Sequence, residues 1–92
     1  MPKKKIFDDG SSIEWISKEG LKYAENGYSV LVWVDYEPGF FNNSRIIKSS
    51  SLIRWQIKPN GMPDVIDEIK KNEIIEKAKE YFDSKGVRCR VE

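Results

Sequence analysis

The sequence contains no histidine and a single cysteine, Cys89. Histidine is the commonest general base and the commonest zinc ligand in proteins. Its absence, together with the single thiol, argues against a structural zinc site and against a cysteine nucleophile activated by an imidazole. A lone cysteine also forms no intramolecular disulfide, which suits a reducing compartment. We therefore expect a cytoplasmic protein.

The chain also has neither a surplus of one charge nor a long apolar run. Sixteen Lys and Arg residues face fifteen Asp and Glu residues, so the formal net charge is +1 and no long-range attraction to nucleic acid or anionic lipid is built in. The longest nearly uncharged apolar run, residues 28–34, is far shorter than the roughly 20 residues of a membrane helix. The three lysines at residues 3–5 have the positive charge of the start of a signal peptide. The polar residues 8–10, however, end the apolar stretch that a signal peptide needs. We expect neither export nor membrane insertion.

The residues that are present suffice for one folded domain, because 92 residues with 39% apolar side chains bury one core and not two. Residues 13–16 predict a short strand between turns. Asn26 and Gly27 accept the positive φ angles of a type I′ turn and predict a hairpin. Its second arm, residues 28–36, carries apolar side chains on both faces, which predicts a central strand that ends at Pro38.

The second half of the chain predicts three more strands and a helix. After a strand near residues 45–48, Ile53, Trp55 and Ile57 alternate with polar residues, which indicates a half-buried strand over residues 52–57. Residues 64–85 predict one amphipathic helix that begins at Asp64 or, alternatively, at Asp67 and ends before Gly86. Its expected core positions are Ile66, Ile69, Ile74, Ile75, Ala78, Tyr81 and Phe82. Residues 87–92 alternate as a closing strand, with Cys89 facing inward.

These elements predict an α+β fold with an antiparallel sheet of about five to six strands, packed against one C-terminal helix. Within it, Asp35 and Glu37 lie two residues apart on one strand and therefore share a face. A carboxylate pair of this kind is one route to acid–base hydrolysis, but it is also what a solvated strand end contains. Cys89 is expected to be an inert, buried thiol. We expect no catalytic residue, no cofactor and no enzyme activity.

Basic residues suggest a second class of function. The cations Arg45, Lys48, Arg54 and Lys58 would share one sheet edge if the strands near residues 45–48 and 52–57 were neighbours. Trp55 or Tyr36 would then stack on bases, giving a small nucleic-acid-binding module. Acidic residues are nearly as abundant as basic ones, so nucleic-acid binding stays the alternative interpretation.

Phe40 and Phe41 are adjacent aromatics in a predicted loop between strands. Two such neighbours do not both point easily into a small core, and exposed aromatics are enriched at protein interfaces as anchors. The alternative is that the loop folds back and buries both rings. In either case residues 37–43 are the first choice for a partner surface.

Several short motifs resemble a family of small immunity proteins that accompany toxins in bacterial polymorphic toxin and contact-dependent growth inhibition systems. They are Ser50-Ser51-Leu52-Ile53-Arg54-Trp55, Pro59-Asn60-Gly61, Ala78-Lys79-Glu80-Tyr81-Phe82 and Gly86-Val87. The resemblance implies tight binding to a cognate toxin domain in the cytoplasm and neutralisation by covering its active site or substrate-binding surface. The expected partner-binding residues are Glu37, Phe40, Phe41, Asn42, Arg45, Arg54 and Gln56.

Overall fold

A computed structural model of the chain describes residues 4–37 and 44–92. The described residues form six strands, one α-helix and a short 3-10 turn at Ser49–Ser51. The strands are β1 Lys4–Ile6, β2 Ser12–Ser17, β3 Gly20–Glu25, β4 Tyr28–Glu37, β5 Ser44–Ile47 and β6 Arg88–Val91, and the helix is α1 Glu68–Ser84. The predicted α+β class, with one C-terminal helix and a closing strand, is confirmed.

The six strands lie side by side in the order in which they occur in the chain. Each neighbouring pair from β1 to β5 is antiparallel, whereas β5 and β6 are parallel because the chain returns through α1. Asn26 and Gly27 have φ angles of 45° and 85°, so the hairpin between β3 and β4 is confirmed. β4 pairs with β3 and β5, and the prediction of a central strand is also confirmed.

One face of the curled sheet packs against α1 and forms the core. Cross-strand rows of this face include Trp15 opposite Leu21, which in turn lies opposite Val32. The fully buried members of the core come from both layers: Ile13, Leu21, Tyr23, Val32, Ile47, Ile74, Ala78, Tyr81 and Phe82 are all 0% exposed. The other face leaves large side chains in solvent, with Trp33 49% exposed.

The helix begins at the later of the two predicted positions. The Asp67 side chain accepts a hydrogen bond of 2.7 Å from the Lys70 amide, as an N-cap residue does. Gly86, with φ of 71°, follows the end of the helix. The prediction that Ile69 belongs to the core is wrong: it is 83% exposed, because the later start places it in the first turn, on a side of α1 that the sheet does not cover.

The predicted strand over residues 52–57 is wrong. This segment makes only isolated bridges, from Arg54 to Val65 and from Ile57 to Ser29. Ile53 and Ile57 are 60% and 59% exposed, whereas Trp55 is 9% exposed, so the alternation does not describe a buried face. β5 pairs with β4 only from Val34 to Glu37, and the segment contacts β4 only at Ser29, so it does not extend into a strand ladder.

Two consequences follow for the order of the strands. The sheet still has six strands, because the three-residue strand β1, Lys4–Ile6, pairs with β2. No pattern in the sequence indicated this strand. In addition, β5 is flanked by β4 and β6, so Arg45 and Lys48 do not share a sheet edge with Arg54 and Lys58 as the nucleic-acid interpretation required.

Candidate protein-binding surface

The predicted partner-binding residues fall into two groups at opposite ends of β4. Glu37 is the last residue of β4 and pairs with Ser44, next to the pair of Tyr36 and Arg45. Phe40, Phe41 and Asn42 lie outside the described residues. The structure thus brings Arg45 and the backbone of Glu37 together.

Arg54 and Gln56 lie near the start of β4. The Gln56 amide donates a hydrogen bond of 2.9 Å to the Ser29 carbonyl oxygen. Ser29 and Tyr36 are seven residues apart on the strand, or roughly 23 Å at about 3.3 Å per residue. The predicted set is therefore divided between two separate surfaces.

Arg45 lies between two aromatic rings at the far end of β4. The centre of its guanidinium group is 4.8 Å from the Tyr36 ring and 5.4 Å from the Trp15 ring, both within the range of cation–π attraction. Tyr36 is its cross-strand partner and is 52% exposed. The stacked rings limit the rotamers of the arginine and hold it in one place before any partner arrives.

Trp15 reaches Arg45 across two intervening strands. In a flat sheet, three steps of about 4.8 Å would separate β2 from β5 by roughly 14 Å. The curl of the sheet and the length of both side chains close this gap. The Trp15 ring is itself fixed by edge-to-face contacts with Phe82 at 5.3 Å and Tyr81 at 6.3 Å.

A cleft of about 340 Å³ opens beside this pair, which we call the Arg45 cleft. Its lining combines apolar walls with cations and contains no described carboxylate: it consists of Trp15, Ile16, Ser17, Lys18, Arg45, Tyr81 and Lys85. Burial raises the pKa of the Tyr81 phenol, although a hydrogen bond with the Trp15 backbone partly opposes this, so the phenol stays neutral. The charged side chains among the described lining residues are all cations.

The three cations of the cleft have different local explanations. Lys85 is the C-cap residue of α1, where a positive charge interacts favourably with the helix dipole, and its Nζ lies 5.5 Å from the Tyr81 ring. Lys18 lies in the exposed turn between β2 and β3. Arg45 is partly buried, and among the described residues its guanidinium donates one hydrogen bond, from Nη1 to the Ser44 carbonyl oxygen at 3.4 Å. Its Nε is buried and has no partner there.

Two other basic residues of the predicted nucleic-acid surface, Lys48 and Arg54, have acidic partners. Lys48 forms ion pairs with Asp35 and Glu92, and Arg54 contacts Asp64 at 3.2 Å. Trp55 is packed between aromatic rings at 6.2 Å and 5.0 Å and is only 9% exposed. A base would find no open ring face on it, so Trp55 does not serve as a stacking platform.

Two candidate catalytic groups, Asp35 and Cys89, lie in ordinary structural environments. Asp35 lies on the outer sheet face, its side chain 57% exposed and 3.4 Å from Lys48, in the manner of a solvated ion pair. Cys89 is half-buried in β6, and burial raises the pKa of its thiol, which favours the less reactive protonated form. No group of three or more His, Cys, Asp or Glu residues in the described segments is arranged to hold a metal ion.

Trp15 and Lys85 were not among the predicted site residues. Each occupies a position with an ordinary structural role, in a strand and at a helix end, and nothing in the local pattern links either one to Arg45. In the described part of the chain, no helix is long and apolar enough to cross a membrane. No protein-family model matches the sequence, no curated protein is detectably similar to it, and no solved structure matches its fold.

Proposed function

We propose that this chain is an immunity-type inhibitor that binds a cognate toxin domain in the bacterial cytoplasm. Its binding surface is centred on the far end of β4, at Tyr36, Glu37 and Arg45, and extends over residues 38–43. The single observation that carries the proposal is the cation–π contact between the exposed Tyr36 ring and Arg45, which lines the Arg45 cleft, with the guanidinium 4.8 Å from the ring.

Tyr36 and Arg45 are suited to this role by residue type and by geometry. Tyrosine and arginine, with tryptophan, are the residues that most often dominate binding energy at protein interfaces. The tyrosine is 52% exposed, so it has apolar surface to bury against a partner. The arginine is held in place by two rings, which lowers the entropy that is lost when a complex forms.

The immunity assignment within this class rests on the motif resemblance of the second half of the chain. An inhibitor needs a rigid, complementary surface and no reaction chemistry of its own. A six-stranded sheet packed on one helix provides such a rigid support for the end of β4. Activity then consists of covering the toxin, and the inhibited toxin regains activity when the complex dissociates.

The decisive experiment uses the product of the neighbouring gene as the partner. We expect the two purified proteins to form a stable complex, and we expect expression of this chain to rescue cells from the neighbour's toxicity. Tyr36→Ala should weaken the complex about thirtyfold, as expected for an interface anchor. Ile57→Ala is the matched control, since Ile57 is similarly exposed, at 59%, and lies at the other end of β4.

Two results would count against the proposal. The first is the absence of both complex and rescue with the wild-type chain. The second is a complex in which Ile57→Ala weakens binding and Tyr36→Ala does not, which would move the surface to the opposite end of the sheet.

A further inference from the structure

We propose that the Arg45 cleft receives a carboxylate side chain, from an aspartate or glutamate of the partner protein. This inference rests on the proposed function and names the chemistry that the same surface recognises. It starts from the charge of the cleft, which is lined by Arg45, Lys18 and Lys85 and by no carboxylate of the described residues.

Arg45 differs from two other partly buried cations of this protein, Lys70 and Lys77. Lys70 bonds Glu25 at 2.9 Å, and Lys77 bonds Asp9. Arg45 has no such partner among the described side chains, those of residues 4–36 and 44–92, and its buried Nε donates no hydrogen bond there. A donor removed from water without a replacement acceptor is costly, whereas an incoming anion would compensate the guanidinium charge.

The geometry of the cleft favours a carboxylate. Because Nε is buried and the side chain is stacked between rings, the Nη end of the guanidinium is the part that faces a ligand. Two parallel hydrogen bonds to a planar two-oxygen group are the preferred arrangement of arginine. Trp15 and Ile16 supply apolar wall for the methylene groups of an aspartate or glutamate.

A nucleic-acid phosphate fits this surface less well. Tyr81, one of the cleft's two aromatic walls, is 0% exposed and offers no face for a base. The whole chain has a net charge of only +1, which provides little counterion release on binding a polyanion. A carboxylate of a protein requires neither an open ring face nor a large positive charge. Its binding needs only a side chain that fits the cleft and a charge-assisted hydrogen bond with Arg45.

The first experiment tests the cleft without the partner. A blocked hexaglutamate peptide is titrated into the protein, and NMR follows the Nε–H signal of Arg45 and the indole N–H signal of Trp15. We expect saturable shifts of both signals, loss of the Trp15 shift in Arg45→Met, and no loss in the matched control Arg54→Met. An absence of shifts, or shifts that persist in Arg45→Met, would overturn the inference. Shifts induced only by a short oligothymidylate would assign the cleft to nucleic acid instead.

The second experiment measures the complex with the toxin domain. Arg45→Met should weaken binding about tenfold to hundredfold, Arg45→Lys should restore part of the loss, and the control Lys22→Met, which removes an exposed cation of β3, should have little effect. If the wild-type chain forms the complex and Arg45→Met binds equally well, the carboxylate inference fails while the proposed function stands. If the wild-type chain forms no complex and the peptide still shifts Trp15, the proposed function fails and the anion site stands.

Discussion

The two ends of β4 are built from similar parts and closed in different ways. At the first end, Trp55 packs against Tyr23 and Tyr28, with ring centroids 6.2 Å and 5.0 Å apart. At the second end, Arg45 occupies the corresponding place between Trp15 and Tyr36. Tyr23 and Tyr28 thus pack against a tryptophan, whereas Trp15 and Tyr36 contact a cation.

The two ends of β4 also differ in how their charged groups are paired. Around the first end, Lys70 bonds Glu25, and the Tyr23 hydroxyl donates to Glu25 at 2.6 Å. Burial, with this hydrogen bond, raises the pKa of Tyr23 well above its ordinary value, so the phenol remains neutral. At the second end, the guanidinium has no described carboxylate beside it. The comparison teaches that the charges of the first end are paired within the fold, whereas we propose that the cation of the second end is paired by a partner.

The largest expected effect is on the first end. Trp55→Ala should lower the free energy of unfolding by about 3–5 kcal/mol, because it removes a large side chain from the core. Urea denaturation followed by circular dichroism measures the change. The control is Trp33→Ala on the outer face, where 49% exposure predicts a loss below about 1 kcal/mol. Equal losses at the two tryptophans would remove the distinction between a structural and an open end.

The N-cap of α1 provides a second, smaller test at the first end. Asp67→Ala should destabilise the protein by about 1 kcal/mol, because the Lys70 amide loses its acceptor. Asp67→Asn retains an acceptor and should remain close to the wild type in the same denaturation measurement. Neither substitution should move the NMR signal of the Trp15 indole. A change at Trp15 would mean that the two ends are coupled through the helix.

A dependence on pH is expected from Asp9, which lies near the first end. Hydrogen bonds from Lys77 and then from Ser11 hold its pKa well below the ordinary value of 3.8. The folded state thus favours the charged carboxylate, so its contribution is complete above about pH 4 and is lost as the pH falls through the folded-state pKa. Melting temperatures between about pH 6 and pH 2 should fall less steeply in Asp9→Asn. Asp8→Asn is the control, and parallel curves for all three proteins would contradict the assignment.

The smallest effect on stability is expected at the second end. Arg45→Met retains an apolar stem against Trp15 and removes a partly desolvated charge, so the free energy of unfolding should change by less than about 0.5 kcal/mol. The same substitution is the one that should weaken anion and partner binding. If Arg45→Met instead unfolds the protein as strongly as Trp55→Ala does, the arginine is a structural element and the contrast between the two ends disappears.

Local signals of the sequence predicted a large part of this fold. The hairpin at Asn26 and Gly27, the two-faced strand β4 and the C-terminal helix, for which Asp67 was the alternative start to Asp64, each depend on residues close together in the chain. Residues 52–57 were assigned wrongly because alternation reports a buried face only where a strand ladder forms, and this segment makes only isolated bridges. Ile69 was assigned wrongly because helical spacing does not show where the sheet ends.

The candidate site was predicted less completely. Arg45 and the strand end at Glu37 were identified from composition and position, and the backbone of the two is adjacent in the sheet. Trp15 lies thirty residues before Arg45, in a strand that is not its neighbour. No periodicity connects residues on β2 and β5, so the cleft between them could not be inferred.

The sequence by itself determined the class of the fold, the turn at Asn26 and Gly27, and the near-neutral charge, because these depend on local conformational preferences and on composition. Only the tertiary structure decided that Trp55 is enclosed and that Arg45 is left beside an open cleft. The curl of the sheet and the packing of α1 bring distant side chains together, and burial and the presence or absence of a carboxylate then follow from that packing.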